Sequence, residues 1–340
     1  MGKPTDFAYY LSKYLTTYLP EFIGASSNTV ASYSDSFRIL LIFASEKDSI
    51  KPEKLTLAHI DKAFVGRFID WVENERGCSV STRNQRLTAI HAFFRFLQSE
   101  IPEKLYDCQK ILSIPKKKGH QECVNFLTTD GIKLLLSEPD SNTESGRKHM
   151  VLLSFIYGTA ARVQEAVDVT VEDFRYNGHN LVRLTGKGNK SRLVPLEKPL
   201  LEMMRGYLKE QGHIQPYINN TSLFTNHSGN KLTRQGISHI LKKYAESARK
   251  KRPDLIPRDI SVHSLRHSRA VHWLQAGVDL IYIRDLLGHV SVQTTEIYAR
   301  IDGEMKRKAL EKVSSQNYPN GIPSWQSDIS LLDWLKTLGR

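Results

Sequence analysis

The sequence predicts a mainly α-helical chain of two domains with one small β-hairpin, and three features predict it. Apolar residues recur every three or four positions through the first third, the period of a helix with one buried face. That pattern stops across residues 113–126, SIPKKKGHQECVNF, where Pro115 disfavours helix and Lys116, Lys117 and Lys118 form a basic strap before Gly119. Past the break the helical period returns, interrupted by NLVRLTGKGNKSRLVPL, whose two short apolar runs flank a Gly-Lys-Gly-Asn turn and read as a hairpin. A chain of 340 residues has the length of two domains of roughly 100–200 residues each. The expected division is a helical domain over 1–112, a basic linker over 113–126, a second domain over 127–313 and a tail over 314–340.

In the first domain one helix starts near Asn28 and carries Val30, Tyr33, Phe37, Leu40, Leu41 and Ala44 on its inward stripe. A second follows Thr56, with Ile60, Phe64, Phe68 and Val72 each four apart. The third begins near Ser81 or Thr82 and turns Leu87, Ile90, Phe94 and Leu97 inward, leaving Thr82, Arg83, Asn84 and Arg86 on its other face. Those four side chains either reach phosphates and base edges or form an ordinary solvated face. In the second domain a helix restarts at Thr129, and the apolar run 150–157 reads as a buried helix. After the hairpin, helices are expected at 198–210, 233–250, 264–276, 279–287 and 291–299. In the tail, the polar connector SSQNYPNGIPSWQ precedes Ile329, Leu332, Leu335 and Leu338, which with Trp325 and Trp334 make a face to be buried on its own domain or on a neighbouring protomer.

Composition narrows the function. The chain is 40% hydrophobic and 25% charged, the balance of a globular protein and not of a disordered or membrane-embedded one. Cys78, Cys108 and Cys123 form neither a paired framework nor a CxxC metal site, so a reducing compartment is expected. No apolar stretch of signal-peptide kind follows MGKPTDF, and no run approaches the roughly 18 apolar residues of a spanning helix. A cytoplasmic protein without a membrane partner is the expectation. The net charge of +12 points to a polyanion. Residues 1–112 hold 14 basic and 13 acidic side chains, which leaves 34 of the 48 basic and 23 of the 36 acidic ones to residues 113–340. The positive excess therefore belongs to the linker, second domain and tail.

Several residues there suit chemistry on an anion. In HSLRH, His263 and Arg266 share one face of a helix start. His263 and His267 are four apart, but the zinc motif HExxH needs Glu where Ser264 stands, so no metal and no cofactor are expected. LLGHVSVQTTEIYAR places His289 after Gly288 and then Tyr298, GTAARVQEAV places Arg162 at the end of an apolar helix with Glu165 three positions on, and the hairpin turn supplies Lys187.

The order Arg162, Lys187, His263-x-x-Arg266, His289, Tyr298 resembles the catalytic set of the tyrosine recombinase, or phage integrase, family. GTAARVQE, TGKGNKSRLVPL, HSLRH and LGHVSVQTTEIYAR look like its recognisable blocks, and STRNQRLTAIHAFFRFL is similar to the last core-binding helix of Xer-type recombinases and integrases. The resemblance covers about residues 5–313 and implies a helical core-type DNA-binding domain followed by a recombinase catalytic domain. It implies double-stranded target DNA as partner, a homo-oligomeric, tetrameric synapse, exchange of strands through a Holliday junction, and room for an accessory DNA-bending protein. A mobile-element or nucleoid setting follows from the same likeness. With only about 110 residues before the linker, the separate arm-binding domain of lambda-type integrases is not expected.

The residues bear that chemistry. Two guanidiniums, Arg162 and Arg266, can grip non-bridging phosphate oxygens in fork geometry. Tyr298 would be activated by the cationic site and attack phosphorus, giving the 3′-phosphotyrosyl ester that the resemblance implies, without metal or ATP. Lys187 protonates the leaving 5′ oxygen, His263 accepts or donates a proton opposite, and His289 hydrogen-bonds the phosphate. Glu165 is an orienter of this basic cluster or an ordinary surface carboxylate. Thr82, Arg83, Asn84, Arg86, Lys116, Lys117 and Lys118 are the further DNA contacts expected. The alternative is a catalytically idle or topoisomerase-IB-like DNA-binding protein of the same fold.

Overall fold

The computed structural model describes residues 4–119, 125–175, 180–212, 221–289 and 291–301. The linker residues 120–124 and the expected tail helix lie outside them. The chain separates into two compact units, Met1–Glu122 and Cys123–Arg340.

In the first unit each long helix starts where a short polar side chain can accept an otherwise orphaned N–H. Helix α1, Asp6–Lys13, is capped by Thr5 and runs straight into a wide π-helical stretch, Tyr14–Phe22, that contains Pro20. Helix α2, Ser27–Lys47, is capped by Ser26; α3, Lys62–Asn74, by Asp61; and α4, Val80–Glu100, by Ser79. Helix α5, Leu105–Leu112, closes the unit.

Two boundaries differ from expectation, and capping explains both. A 3-10 turn, Leu57–His59, follows Thr56, and α3 begins only after Asp61 accepts from the Phe64 N–H at 2.7 Å. Ile60 is thus outside the helix, although it is buried. Helix α4 starts at Val80 and not at Ser81 or Thr82, because Ser79 takes the cap. The sequence reading contained neither the Asp6–Phe22 segment nor α5, which are short and owe their order to packing on α4 and α2.

Helices α6, Thr129–Ser137, and α7, Glu144–Thr159, open the second unit, followed by the single-turn-and-a-half α8, Val163–Asp168. Strands β1, Phe174–Arg175, β2, Leu181–Thr185, and β3, Ser191–Pro195, form an antiparallel sheet in the order β1-β2-β3. The expected hairpin is β2 and β3, with Val182 opposite Val194 and Leu184 opposite Arg192. Helices α9, Lys198–Glu210, α10, Arg234–Lys251, α11, Val262–Gln275, α12, Leu280–Leu287, and α13, Gln293–Ile301, complete the unit within a residue or two of the expected positions. The main core draws on α6 to α11 and the sheet. A smaller apolar cluster of Ala160, Ala270, Val271, Leu274, Ile283, Leu287 and Tyr298 holds α11, α12 and α13 together. No helix among the described residues is long and apolar enough to cross a membrane.

The first unit's core is aromatic. Phe93 is fully buried and meets Phe7, Phe37 and Tyr14 edge-on, at centroid separations of 5.9, 5.2 and 5.4 Å. Phe93→Ala should leave a cavity bounded by α1, α2 and α4 and destabilise this unit by about 3–5 kcal/mol. Urea unfolding followed by fluorescence of Trp71 measures it, and an unchanged midpoint would contradict the packing account.

Candidate active site

The site is organised by one buried carboxylate. Helix α7 ends at Ala160, whose left-handed backbone (φ +50°) turns the chain sharply, so that Arg162 becomes the N-cap of α8 and Glu165 its third residue. Glu165 is only 2% exposed. Its Oε1 accepts from guanidinium N–H groups of Arg162 and Arg192, both at 2.8 Å, and its Oε2 accepts from the Arg162 backbone N–H and from Arg192, again both at 2.8 Å. Burial by itself raises the carboxyl's pKa, but these donors outweigh it and bring it down to about 2. Glu165 is therefore no surface carboxylate.

Around it the cations converge. Arg192 also donates from Nε to the Leu286 carbonyl at 2.7 Å, and Arg162 donates to the Gly288 carbonyl at 3.1 Å. Arg266 is 3% exposed and donates to the carbonyls of Ala160, at 2.7 Å, and Leu287, at 2.6 Å, which lie at the C-terminal ends of α7 and α12. Helix ends carry partial negative charge and unpaired carbonyls, and so suit a buried cation. Burial, then Arg162 and Arg192, pull the Arg266 pKa down to about 9, and it stays charged at neutral pH. Two glycines permit this crowding. A Cβ on Gly186 would sit 3.1 Å from Glu165 Oε1, and one on Gly288 (φ +63°) would sit 3.1 Å from Arg192 Cδ.

The histidines and the tyrosine line the same region. Gly288 closes α12 and sets His289 directly after it, where its Nδ1 bonds the buried Thr295 hydroxyl at 3.0 Å. Burial, then Arg266, Arg162 and Arg192, hold His289 down to about 4. His263, at the start of α11, is exposed; its partial desolvation, then Arg266 and Arg162, lower its pKa. Tyr298 on α13 is 1% exposed, and its hydroxyl meets His267 Nδ1 at 2.8 Å. Burial raises the Tyr298 pKa, while Arg266 and Arg162 act to lower it. Lys187 opens the turn between β2 and β3, and its side chain lies outside the described residues. Among the described residues no His, Cys, Asp and Glu cluster can hold a metal ion.

The candidates on the first unit have partners within it. Arg83 pairs with Glu73 at 3.4 Å and Arg86 with Asp35 at 2.6 Å, their side chains only 11% and 17% exposed. Asn84 donates to the Lys117 carbonyl and accepts from its N–H, while Lys117 Nζ reaches Glu73. Thr82 shares a hydrogen bond with its cap, Ser79. Lys116 and Lys118 are exposed. The α4 face thus fastens the start of the linker, which the sequence reading did not contain.

Sequence reasoning also missed Arg192 and the His267–Tyr298 contact. Arg192 had a signal: it alternates with Val194 on the inward side of β3, where a charge needs a buried partner. His267 was legible as half of a metal pair with His263, but its neighbour in space is Tyr298.

Residues 125–305 match the model of the phage integrase family, and residues 13–100 match its N-terminal SAM-like domain. The chain belongs to the phage integrase family, the tyrosine recombinases. It is 36% identical to y4rC of Sinorhizobium fredii, named as an integrase/recombinase, over 99% of this chain and 100% of that one. Tyrosine recombinase XerC of Pelotomaculum thermopropionicum is 32% identical over 85% of this chain and 92% of its own, and tyrosine recombinase XerD of Listeria monocytogenes 32% over 87% and 94%. The fold is shared with XerH site-specific recombinase bound to difH substrate, at a TM-score of 0.68, 22% identity and coverage of 88% and 84%. It is shared too with the Tn1549 transposon integrase in complex with transposon right end DNA, at a TM-score of 0.70, 15% identity and coverage of 89% and 99%. The expected fold class, mainly α with a small sheet in a two-domain recombinase, is the one found.

Because the folded-state pKa of Glu165 lies below its ordinary 4.5, its contribution to stability is complete above about 4.5 and is lost as pH falls toward about 2. Glu165→Gln should remove that dependence and leave Arg192 buried without its counter-charge, at a cost of about 3–5 kcal/mol. Melting curves from neutral to acid pH test both effects. A variant as stable as the parent at pH 7 would show that the carboxylate does not hold the arginines together.

Proposed function

We propose that this chain cleaves and rejoins duplex DNA at specific sites through a covalent 3′-phosphotyrosyl bond on Tyr298, using neither metal nor ATP. One observation carries the reading. Two guanidiniums, Arg162 and Arg192, bond a single carboxylate, and a third, Arg266, lies within electrostatic reach of them and of Tyr298, an excess of positive charge that a phosphodiester anion would balance.

Arg162 and Arg266 bind the non-bridging oxygens and neutralise charge that grows as phosphorus becomes five-coordinate. Tyr298 Oη attacks, the bond from phosphorus to the 5′ oxygen breaks, and Lys187 gives that oxygen its proton. His263 and His289 flank the phosphate, while Glu165 orients Arg162 from behind. The tyrosyl ester retains the energy of the broken bond, so a second 5′ hydroxyl can reverse the step. This supports strand exchange over hydrolysis, with a Holliday junction between two target sites held by four protomers, in the cytoplasm or nucleoid. In this reading residues 1–112 form the core-type DNA-binding domain, 127–313 the catalytic domain, and exposed Lys116 and Lys118 contact backbone phosphate. The tail, 314–340, docks on a neighbouring protomer.

Nicked target DNA followed by a denaturing gel is the direct test, and it separates a cleaving enzyme from a catalytically idle DNA binder, while joining of strands from two target sites separates recombination from topoisomerase-IB-like relaxation. The parent chain should give a covalent adduct. Tyr298→Phe should keep binding and give none, and adduct from the Phe chain sinks the assignment. Arg162→Lys and Arg266→Lys should each lose most cleavage, since an ammonium lacks the bidentate fork.

A substrate with a 5′-bridging sulfur addresses Lys187. Lys187→Ala should be slowed roughly 10²–10⁴-fold on ordinary DNA and much less on the sulfur substrate, whose leaving group needs no proton. Equal slowing on both removes Lys187 from this role.

A further inference from the structure

We propose that His267 takes the proton from Tyr298 as its Oη attacks phosphorus. The inference rests on Tyr298 being the nucleophile, and it starts from the contact at that hydroxyl. Tyr298 is 1% exposed, and His267 Nδ1, at 2.8 Å, is the one hydrogen-bond partner of its oxygen among the described residues. A buried phenol without an acceptor for its proton is costly, so the hydroxyl donates to Nδ1 and the ring carries its own N–H on Nε2. His263, the acceptor the sequence suggests, makes no hydrogen bond to Tyr298. Its ring lies one helical turn from that of His267, centroids 6.4 Å apart.

The setting makes the transfer depend on substrate. His267 faces His263 and Arg266 on α11, Tyr298 on α13 and His289 in the loop after α12. Burial, then His263 and Arg266, hold its pKa down to about 4. The free imidazole is therefore neutral, able to accept a hydrogen bond and too weak to strip the phenol. A phosphodiester bound to the arginines offsets their charge and raises the basicity of the ring as the nucleophile is needed. The step then balances: the phenolic oxygen bonds to phosphorus, its proton passes to Nδ1, the 5′ oxygen departs, and Lys187 supplies that oxygen's proton. In rejoining, His267 returns its proton to the phenolic oxygen.

The test is single-turnover cleavage of a nicked target by the full chain between about pH 6 and about pH 9, with DNA binding and melting measured alongside. Asn places an amide oxygen where Nδ1 lies, so His267→Asn keeps an acceptor for the hydroxyl but cannot take a proton. It should bind DNA like the parent, cleave roughly 10²–10⁴-fold slower at neutral pH, and speed up about tenfold per pH unit as hydroxide replaces the missing base. His263→Ala, which loses a group flanking the phosphate, should cleave more slowly by a factor that varies little with pH, so that only the shape of the parent's pH profile is kept. His267→Asn cleaving within about threefold of the parent, with the parent's pH dependence, overturns the proposal and leaves His267 only a positioning residue. So does a hydroxide-dependent profile that appears in His263→Ala instead. His267→Gln carries the same comparison should the Asn chain melt early. Tyr298→Phe run in parallel keeps the outcomes apart: adduct from that chain defeats the nucleophile assignment itself.

Discussion

Everything at this site depends on the Glu165 carboxylate, which holds mutually repelling arginines together. Three guanidiniums close to one another repel strongly in a low-dielectric setting. Glu165 relieves this by accepting four hydrogen bonds, two from Arg162 and two from Arg192. Each arginine comes from a different element, Arg162 from the start of α8, Arg192 from β3 and Arg266 from α11. The carboxylate thereby ties the hairpin that bears Lys187 to the α7–α8 corner. Its two oxygens cannot balance three positive charges, and the remainder is what an anionic substrate meets.

Backbone carbonyls stabilise the rest of that charge. Arg266 is satisfied by Ala160 and Leu287, Arg162 partly by Gly288 and Arg192 by Leu286, all beside the C-terminal ends of α7 and α12. These groups are left over by the helices that end there. A cation placed against two helix C-termini needs no second carboxylate, and the site keeps its positive character without an unsatisfied buried donor.

The hydroxyl of Tyr298 is held differently from the arginines. Its ring belongs to the apolar cluster of α11, α12 and α13, while the oxygen reaches His267. His289, bonded to Thr295 on the same helix, gives α13 a second attachment. Both imidazoles are held neutral by burial and nearby cations, so both attachments are ordinary hydrogen bonds that resist a fall in pH. On the first unit, by contrast, Arg83 pairs with Glu73 and Arg86 with Asp35, in keeping with the near-neutral charge of residues 1–112, and Lys117 of the linker also reaches Glu73.

Much of this was legible in the linear chain. The helical pattern located α2, α4 and the helices of the second unit other than α8, and two apolar runs around Gly-Lys-Gly-Asn located the hairpin, because both signals are local. The sequence by itself also determined which side chains could serve phosphate chemistry, since Arg162, Lys187, His263, Arg266, His289 and Tyr298 are recognisable by type and order. Tertiary structure alone decided their partners. Whether Glu165 faced water or lay buried under two arginines depended on Arg192 of β3 reaching it, a contact between residues 27 positions apart in the chain. Likewise, the imidazole beside Tyr298 was chosen by how α13 packs on α11: the motif singles out His263, yet it is His267, one turn further on the same helix, that meets the hydroxyl. Periodicity and residue type act through neighbours three or four positions away, whereas burial and pairing, which set charge and proton affinity, arise only when distant segments meet.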